Sequence, residues 1–418
     1  MAWALAVTQT VGYGVLFYTF TVMTVPMESE LGFSRTQTSM AFSIGLMLSG
    51  LAAAPIGRWV DVRGARGLMS LGSALGALLV FAWSHVGDLT SLVMVQAGIG
   101  VVMAAVLYDV AFTVIAKAFS RNRMRAMLIV TMVAGLASTI FVPLGTWLVE
   151  AYGWREALRV LAAVLAFTTV PLHYFALRER ALRGTTEVSP GQRGKSHSAS
   201  GGTPPVATAP SSVENSREAS VDTRTALRSG SFWWVAGAFT LDRLAIVAIA
   251  AHSVPLLLER GYPSGAVAAT VGAIGVMQVA GRLLFAPAAG RRSLRRLTAL
   301  TFGVRAVALM VLLSLDGTLA LWLFAACFGA ANGASTLARA GLVAETFGTA
   351  NYGAINGSMS LLIATVQTVS PLAVGALRMS TGSYTVPLYL LVAVSLLAAL
   401  AVSRSGSVTS EALPLVRR

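Results

Sequence analysis

The sequence predicts an all-α membrane protein whose twelve transmembrane helices form two pseudo-symmetric six-helix bundles. Of the 418 residues, 56% are hydrophobic and 11% are charged, whereas soluble domains carry about 25% charged residues. The apolar residues are grouped into twelve runs long enough to cross a bilayer, which takes roughly 20 residues per helix. One long polar segment separates the first six runs from the last six. These observations argue against a water-soluble protein.

The spans are predicted to be helices, because in lipid only helices and closed barrels satisfy all their backbone polar groups. In the first half, the predicted spans cover residues 3–26, 37–57, 67–86, 91–117, 125–149 and 157–177. In the second half, they cover residues 231–257, 264–289, 297–315, 318–344, 353–377 and 384–403.

Lysine and arginine residues are concentrated in alternate links between the spans. One set of links, together with the C-terminal segment, holds 22 of the 31 basic residues, and the other set holds 5. By the positive-inside rule, the basic links and both termini are expected in the cytoplasm, with the protein in the inner (plasma) membrane. The net charge of +14 does not indicate nucleic-acid binding, because the basic residues lie between apolar runs and not on one face of a folded domain.

The polar segment in the middle of the chain has the composition of a flexible tether. Between residues 189 and 212, 16 of 24 residues are Ser, Gly, Thr or Pro, and such a segment buries too little apolar surface to fold. A regulatory or docking role is the alternative to a plain tether. The predicted organisation is a six-helix bundle at 1–180, a flexible cytoplasmic linker at 181–230, a second six-helix bundle at 231–405 and a cytoplasmic tail at 406–418.

The link between the second and third spans, GRWVDVRGARG, contains a recognisable motif. Gly57, Asp61, Gly64 and Arg66 fit the pattern Gly-x-x-x-Asp-x-x-Gly-x-Arg, and on this pattern the chain resembles the major facilitator superfamily. The resemblance implies two six-helix halves that rock about a central cavity, and a latch between helix ends formed by these four residues. The chemistry agrees, because a carboxylate is favoured beside a helix N-terminus and Gly64 permits a positive φ.

A narrower resemblance is to the bacterial branch of the monocarboxylate and oxalate/formate transporters. It is carried by LGFSRTQTSMAFSIGLMLSGL at 31–51, by FSRNRMRAM leading to VAG at 119–135, and by YGWREA at 152–157. This resemblance implies that the transported solute is a small carboxylate.

Arg282, in the eighth span, matches the arginine that pairs with the substrate carboxylate in the monocarboxylate family. A charge inside a span costs about 2.5 to 3.5 kcal/mol, and a planar guanidinium holds a carboxylate through two hydrogen bonds. Alternatively, Arg282 belongs to a degenerate copy of the latch motif that ends this span. One turn earlier, eukaryotic members carry an aspartate that takes part in proton coupling, but this chain has Gln278. Because an amide binds an anion without carrying a proton, the proton is expected on another residue.

Three further residues within the spans are candidates for binding substrate or proton. His252 changes charge near physiological pH, so it is expected either to bind substrate and proton or to serve as a structural hydrogen-bond donor near a helix end. Tyr108 is a candidate substrate ligand through its hydroxyl group. Asp109 is a candidate proton carrier or counter-ion of an arginine.

Asp242 is the third candidate for proton coupling. It does not pair with its neighbour Arg243, because adjacent residues on a helix diverge by about 100°. We expect it to pair across helices with Arg305 or Arg339, as a structural bridge.

Together these features predict a secondary transporter that works by alternating access. The expected function is proton-linked symport of a monocarboxylate such as lactate, pyruvate or acetate. The alternatives are an anion exchanger of the oxalate/formate type, an efflux carrier of another small solute, or a non-transporting membrane sensor. The sequence has no ATP-binding loop, metal-ligand cluster or catalytic nucleophile motif, so no enzyme activity, cofactor or metal is expected. The expected partners are the substrate anion, a proton and the lipid bilayer, with no nucleic acid and no obligate protein partner.

Overall fold

The computed structural model describes residues 1–119, 122–177 and 221–406, and in these ranges it contains helices and no strands. Twelve of the helices are long and apolar enough to cross a membrane, which confirms the predicted number of spans. The first half contains α1 Ala2–Leu31, α2 Arg35–Arg63, α3 Arg66–Trp83, α4 Leu89–Ala118, α5 Arg123–Tyr152 and α6 Trp154–Ala176. The second half contains α7 Gly230–Glu259, α8 Ser264–Ala289, α9 Leu294–Ser314, α10 Thr318–Phe347, α11 Tyr352–Thr381 and α12 Thr385–Arg404.

Most of the predicted linker at 181–230 and of the predicted tail at 406–418 lies outside the described residues, so those boundaries remain predictions. The described end of the linker forms a short helix, Thr223–Arg228. Just before this helix, the backbone N–H of Val221 donates to the carbonyl of Phe347 at 3.1 Å. The end of the linker is therefore held against the link between α10 and α11.

Local sequence signals set the ends of the helices. Before α2, the backbone N–H of Gln37 donates to Ser34 Oγ at 3.3 Å, and the backbone N–H of Ser34 donates to Gln37 Oε1 at 2.8 Å. This capping box satisfies two donors that an open helix end leaves unpaired. α2 ends at Gly64, whose φ of +79° is disfavoured for residues with a side chain. Because such polar capping residues lie beyond the apolar runs, most helices begin or end outside the predicted spans. By contrast, α3 ends three residues before its predicted end, and α8 coincides with its predicted span.

Each half has an apolar core of its own, and a third core joins the two halves. One buried cluster contains only residues of the first half, and another contains only residues of the second half. The third cluster includes Val60 and Met127 of the first half together with Phe285 and Ile355 of the second half. All four lie near the helix ends that adjoin the basic links.

The two halves are closed against each other at the end that carries the basic links. There α2 crosses α11 at close range, so that a Cβ at Gly57 would overlap the carbonyl oxygen of Gly353. Further packing joins α4 to α11, and α5 to α8 and α10, through the ends near the basic links. Other pairs of described helices from the two halves make little or no contact. The contact between the halves is therefore concentrated in α2 and α11 and in the segments of α4 and α5 nearest the basic links.

Candidate functional site

Three helices of the first half depart from regular α-helix at one level of the bundle. α1 contains a π-helical turn at Gly14–Tyr18, α4 is interrupted at Leu107, and α5 is interrupted at 135–136. Each irregularity lies about a dozen residues from the basic end of its helix, or roughly 18 Å along the axis. Interrupted helices and π turns are frequent at binding sites, because they free backbone polar groups and redirect side chains. This level defines the candidate site.

Two tyrosines flank the π-helical turn of α1, with Tyr13 just before it and Tyr18 at its end. Within the turn, the Thr19 hydroxyl donates to the carbonyl of Gly14 at 3.0 Å. Tyr13 packs against Tyr108 of α4, with ring centroids 4.6 Å apart, and the charge of Arg282 reaches Tyr18. Tyr13, Tyr18 and Tyr108 line the first-half side of the site, and we call them the tyrosine group.

The interruption of α4 is held open by a side chain of α1. Leu107 has an extended backbone, with φ of −88° and ψ of −162°. The side-chain amide of Gln9 donates a hydrogen bond of 2.7 Å to the carbonyl of Val106, next to the interruption. The following residues, Tyr108 and Asp109, begin the second segment of α4. Tyr108 joins the tyrosine group, whereas Asp109 contacts the second half.

Arg282 of α8 reaches across to the first half. Its Nη1 donates to the carbonyl of Thr131 in α5 at 2.8 Å, and its charge acts on Tyr18 and Tyr108. The side chain is 7% exposed, and its Nε has no hydrogen-bond partner among the described residues. No carboxylate in the described part of the chain lies within 4.0 Å of this guanidinium. Its contacts place it in the site and not with the basic link that follows α8.

Gly135, at the interruption of α5, makes room for this guanidinium. A Cβ at this position would lie 2.6 Å from Arg282 Nη1, closer than non-bonded atoms approach. The residue one turn before Arg282, Gln278, is half-buried on α8. Its side chain has no hydrogen bond to any described residue, which leaves both of its polar groups available to a ligand.

Asp109 belongs to an inter-half network of polar side chains. Asn356 Nδ2 donates to its Oδ1 at 3.0 Å and the Ser360 hydroxyl donates to its Oδ2 at 2.5 Å. Arg339 of α10 lies 3.4 Å from Oδ1 and also donates to Ser360. The carboxylate of the first half is thus surrounded by donors of the second half. We call Asp109, Arg339, Asn356 and Ser360 the Asp109 network.

Asp242 pairs with Arg305, one of the two partners that the sequence predicted. Arg305 Nε lies 2.8 Å from Asp242 Oδ1, and the Ser335 hydroxyl donates to Oδ2 at 2.5 Å. Asp242 is 2% exposed and Arg305 is fully buried. Because this pair lies inside the second bundle, among α7, α9 and α10, Asp242 is a structural ion-pair residue in this conformation, and its predicted role in proton coupling has no support from its position.

Arg243, the next residue on α7, faces the other way. Its positive charge lies within electrostatic range of Arg339 in the Asp109 network, of the adjacent Asp242 and of the Tyr13 hydroxyl group in the first half. It is half-buried, and it makes no hydrogen bond or ion pair with any residue that the structure describes. From the sequence, Arg243 was predicted only not to pair with the adjacent Asp242, and it was not predicted as a site residue.

His252 lies among helices of the second half only. Its Nε2 is 2.9 Å from the carbonyl of Pro371, and its Nδ1 is 3.1 Å from the hydroxyl of Tyr384. Because a carbonyl only accepts, Nε2 carries the proton and Nδ1 accepts from the tyrosine. Both ring nitrogens are therefore occupied by structural hydrogen bonds. The structure does not bring His252 together with Arg282 and Tyr108, and its hydrogen bonds fit the alternative prediction of a structural donor. The substrate and proton roles of His252 stay predictions.

At the basic end, Asp61 ties α2 to the N-terminus of α11. Its carboxylate accepts from the backbone N–H groups of Gly353 at 3.1 Å and Ala354 at 2.7 Å. Lys117 of α4 lies 2.7 Å from Oδ1, and only 4% of the Asp61 side chain is exposed. The negative charge sits where the α11 macrodipole is positive. Lys117 was not among the residues expected here.

Arg66 of the same motif does not take part in this contact. Its Nε donates to the carbonyl of Tyr174 at 2.9 Å, and its guanidinium stacks on the Tyr174 ring at 4.1 Å. Both contacts stay within the first half. In this conformation, only Gly57 and Asp61 of the predicted latch contact the other half. Gly64 ends α2, and Arg66 holds the start of α3 against α6.

Among the described residues there is no group of three or more His, Cys, Asp and Glu side chains that could hold a metal ion. The donors that converge at the site are guanidinium, hydroxyl and amide groups, which suit an anion.

The chain is similar to known membrane transport proteins. Residues 5–364 match the profile of the family described as Major Facilitator Superfamily. An uncharacterized 38 kDa protein in the 23S RNA operon of Thermoproteus tenax is 26% identical over 169 residues. That match covers 40% of this chain and 44% of the other protein, so the chain spans less than half the length of this relative.

Two solved structures share the fold over nearly the whole chain. The first is FucP, a transporter of the same superfamily, in the outward conformation, with a TM-score of 0.67 and 13% identity over 97% of this chain and 99% of that one. The second is a variant of the fucose:proton symporter FucP of E. coli, with a TM-score of 0.68 and 12% identity over 96% and 98% of the two chains.

Proposed function

The chain belongs to the major facilitator superfamily and is a multi-pass membrane transporter, not an enzyme, and we propose that it moves a small organic carboxylate by alternating access. The proposed location is the inner (plasma) membrane, with the basic links and both termini in the cytoplasm. In that orientation the closed end of the bundle faces the cytoplasm and the site opens to the outside.

The proposal depends on one observation, which is that the guanidinium of Arg282 has no carboxylate partner among the described residues. It lies between the halves, beside Tyr18 and Tyr108, and no described carboxylate neutralises it. A permanent charge in a low-dielectric setting is stabilised by an anion, and a guanidinium matches the two oxygens of a carboxylate. The monocarboxylates lactate, pyruvate and acetate meet this requirement. Gln278 and the tyrosine hydroxyl groups would supply further hydrogen bonds.

For proton coupling, Asp109 is the candidate that the geometry favours. Its carboxylate is bound by Arg339, Asn356 and Ser360 of the other half, and 31% of the side chain is exposed. Protonation would remove the charge that holds these donors, and would weaken the closure of the cytoplasmic end. A proton arriving from outside would in this way promote the inward-facing state. The proton symport named for E. coli FucP agrees with this proposal.

Uptake into proteoliposomes tests the proposed function. Purified full-length protein is reconstituted, and entry of labelled lactate, pyruvate and acetate is followed with and without an inward proton gradient. We expect uptake that rises with the gradient. Uptake that ignores the gradient but requires an internal anion would support exchange instead, for which the amide Gln278 in place of a carboxylate is the specific indication.

Two matched variants distinguish a specific role of Arg282 in binding from a general effect of replacing an arginine. Arg282→Lys keeps the charge but cannot offer two parallel donors, so uptake should fall about tenfold or more. Arg292→Lys, in the exposed basic link after α8, should leave uptake unchanged. Normal uptake by Arg282→Lys would show that the carboxylate is bound elsewhere.

A further inference from the structure

The described end of the linker binds both ends of the link between α10 and α11. The backbone N–H of Val221 donates to the carbonyl of Phe347, the last residue of α10, at 3.1 Å. The carbonyl of Val221 accepts from Nδ2 of Asn351, the residue just before α11, at 3.0 Å. One residue of the linker therefore bridges the whole link at 348–351.

The short helix that follows is docked as well, and we call residues 221–228 the linker clamp. The Asp222 carboxylate caps the helix by accepting a backbone N–H at 3.0 Å. Ala226 is fully buried, and Leu227 packs against the apolar core that joins the two halves. In the first turn of α7, Trp233 Nε1 donates to the carbonyl of Leu227 at 3.1 Å. The linker clamp is thus fixed to the second half along its length.

The bridged link leads directly into the helix end that Asp61 of the first half binds. α11 begins at Tyr352, the residue after Asn351. The next two backbone N–H groups, of Gly353 and Ala354, donate to the Asp61 carboxylate at 3.1 Å and 2.7 Å. The direction of these donors depends on the orientation of the first turn of α11. Because the linker clamp holds the residue just before this turn, it restrains that orientation.

A plain tether does not account for this arrangement. A flexible connection joins two bundles at any spacing that its length permits, and it needs no contacts of its own. Ordering residues against a bundle costs conformational entropy, which the contacts that they form must offset. The contacts of the linker clamp are concentrated on the α10–α11 link and on the start of α7. They fit the alternative of a docking role for the end of the linker.

We propose that the linker clamp positions the first turn of α11 for Asp61, and in this way stabilises the closed state of the basic end. Val221 and Asn351 are positioning residues, because they act through the two backbone donors that Asp61 binds. Release of the linker clamp shifts the protein toward opening at this end. The inference goes beyond the proposed function and holds for any transported solute.

The variant Asn351→Ala tests the role of the linker clamp. It removes the hydrogen bond to Val221, and it removes no helix cap, because the Asn351 side chain caps no N–H group of α11. Pulsed electron paramagnetic resonance between spin labels at Val62 and Arg292, in full-length protein with Cys327→Ser, measures the separation of the halves at the basic end. We expect the open population to rise about threefold, as the loss of one neutral hydrogen bond provides. An unchanged distance distribution would overturn the inference.

Asn122→Ala is the matched control. Asn122 precedes α5 at the same end of the molecule, with φ of −109° and ψ of 23°, compared with −108° and 24° for Asn351. Its side chain makes no hydrogen bond with any described residue, so its loss should leave the distances unchanged. Equal opening by both variants would show that the effect does not come from the linker clamp.

A double variant shows whether the linker clamp acts through Asp61. In an Asp61→Asn background, Asn351→Ala should cause little further opening, because the contact that it supports is already weakened. A merely structural role of Asn351 would instead give additive effects, which would overturn the inference. If Asp61→Asn itself leaves the distances unchanged, the inference fails together with the latch. Neither result bears on the proposed transport of a carboxylate.

The second hydrogen bond of Val221 provides an independent test. Val221→Pro removes the backbone N–H that donates to Phe347, and it should open the basic end as Asn351→Ala does. Hydrogen exchange followed by mass spectrometry reports on the docking itself, and we expect residues 221–228 to be protected in the parent and to exchange several-fold faster in both variants. Exchange at the rate of an unstructured chain in the parent would show that the linker clamp is not docked.

Discussion

The carboxylate of Asp61 in α2 accepts a hydrogen bond of 2.7 Å from the backbone N–H of Ala354, and so joins the end of α2 to the start of α11. The contact connects the two halves of the molecule at the end where they are closed. It depends on the close approach of Gly57 to Gly353, because a bulkier residue would hold the carboxylate away from the helix terminus. We expect the strength of this contact to affect how often the closed end opens.

We predict that Asp61→Asn shifts the protein toward opening at the basic end. Hydrogen bonds to a charged group contribute about 1.5 to 3 kcal/mol, so the equilibrium should move by about tenfold or more. Pulsed electron paramagnetic resonance between spin labels at Val62 and Arg292, in a Cys327→Ser background, measures the separation of the halves at this end. Asp88→Asn is the control, because that carboxylate caps α4 within the first half. Identical distance distributions for Asp61→Asn and the parent would show that Asp61 is not a latch residue.

We predict that Asp109→Asn separates transport from the proton gradient. The amide mimics the protonated carboxylate, so the variant should exchange internal and external anion while losing gradient-driven accumulation. Counterflow and gradient-driven uptake in the same proteoliposomes measure the two activities. Accumulation that still follows the gradient would assign proton coupling to another residue.

We predict that Gly135→Ala weakens anion binding indirectly, through the position of Arg282. The added Cβ would meet Arg282 Nη1 at 2.6 Å and displace the guanidinium, so the affinity for the carboxylate should fall about tenfold. Gly145→Ala is the matched control on the same helix, because its Cβ would meet Val22 at an ordinary 3.5 Å. Equal affinities for the two variants would show that the guanidinium has another position available.

We predict that His252→Phe reduces stability but keeps proton coupling. The variant loses two hydrogen bonds, to Tyr384 and Pro371, each contributing about 0.5 to 1.5 kcal/mol. Thermal unfolding in detergent measures the loss, and Tyr384→Phe, which removes only one of the bonds, should show a smaller one. Loss of gradient-driven uptake in a protein that remains folded would restore His252 as the proton carrier.

We predict that Arg305→Met is strongly destabilising, because it leaves Asp242 charged and unpaired inside the second bundle. Removing one partner of a buried pair costs about 3 to 5 kcal/mol. The double variant Asp242→Leu with Arg305→Met removes both charges and should recover much of the stability. Thermal unfolding of the single and double variants distinguishes a structural pair from a transport role. Full stability of the double variant without uptake would indicate that the pair also serves transport.

The sequence predicted the features that follow from hydropathy and periodicity. Twelve apolar runs became twelve helices, and the angular separation of adjacent helical residues correctly separated Asp242 from Arg243. A partner for Asp242 across helices was also predicted, because a buried charge requires a partner of opposite sign, and of the two candidates, Arg305 and Arg339, the structure shows Arg305. These inferences depend on local geometry that every helix shares.

The details of the site did not follow from the sequence, because they depend on tertiary contacts. The interruption of α4 at Leu107 lies seven residues beyond the nearest glycine of its apolar run, Gly100, and the run has no proline. A side chain of another helix, Gln9, stabilises it. The groups that surround Lys117 and Arg243 belong to helices distant in the sequence. His252 has the chemistry of a proton carrier, but both of its ring nitrogens are in hydrogen bonds, to Tyr384 and Pro371.

The irregular backbone of the site belongs to one half of the molecule. α1, α4 and α5 bend or break at its level, whereas α7–α12 are continuous helices and carry Arg243, Arg282, Arg305 and Arg339. The two bundles therefore differ mechanically despite their shared architecture. During a transport cycle, we expect the straight helices of the second bundle to keep their arginines at fixed spacing. The interrupted helices of the first bundle, which carry the tyrosine group, would change shape around the substrate.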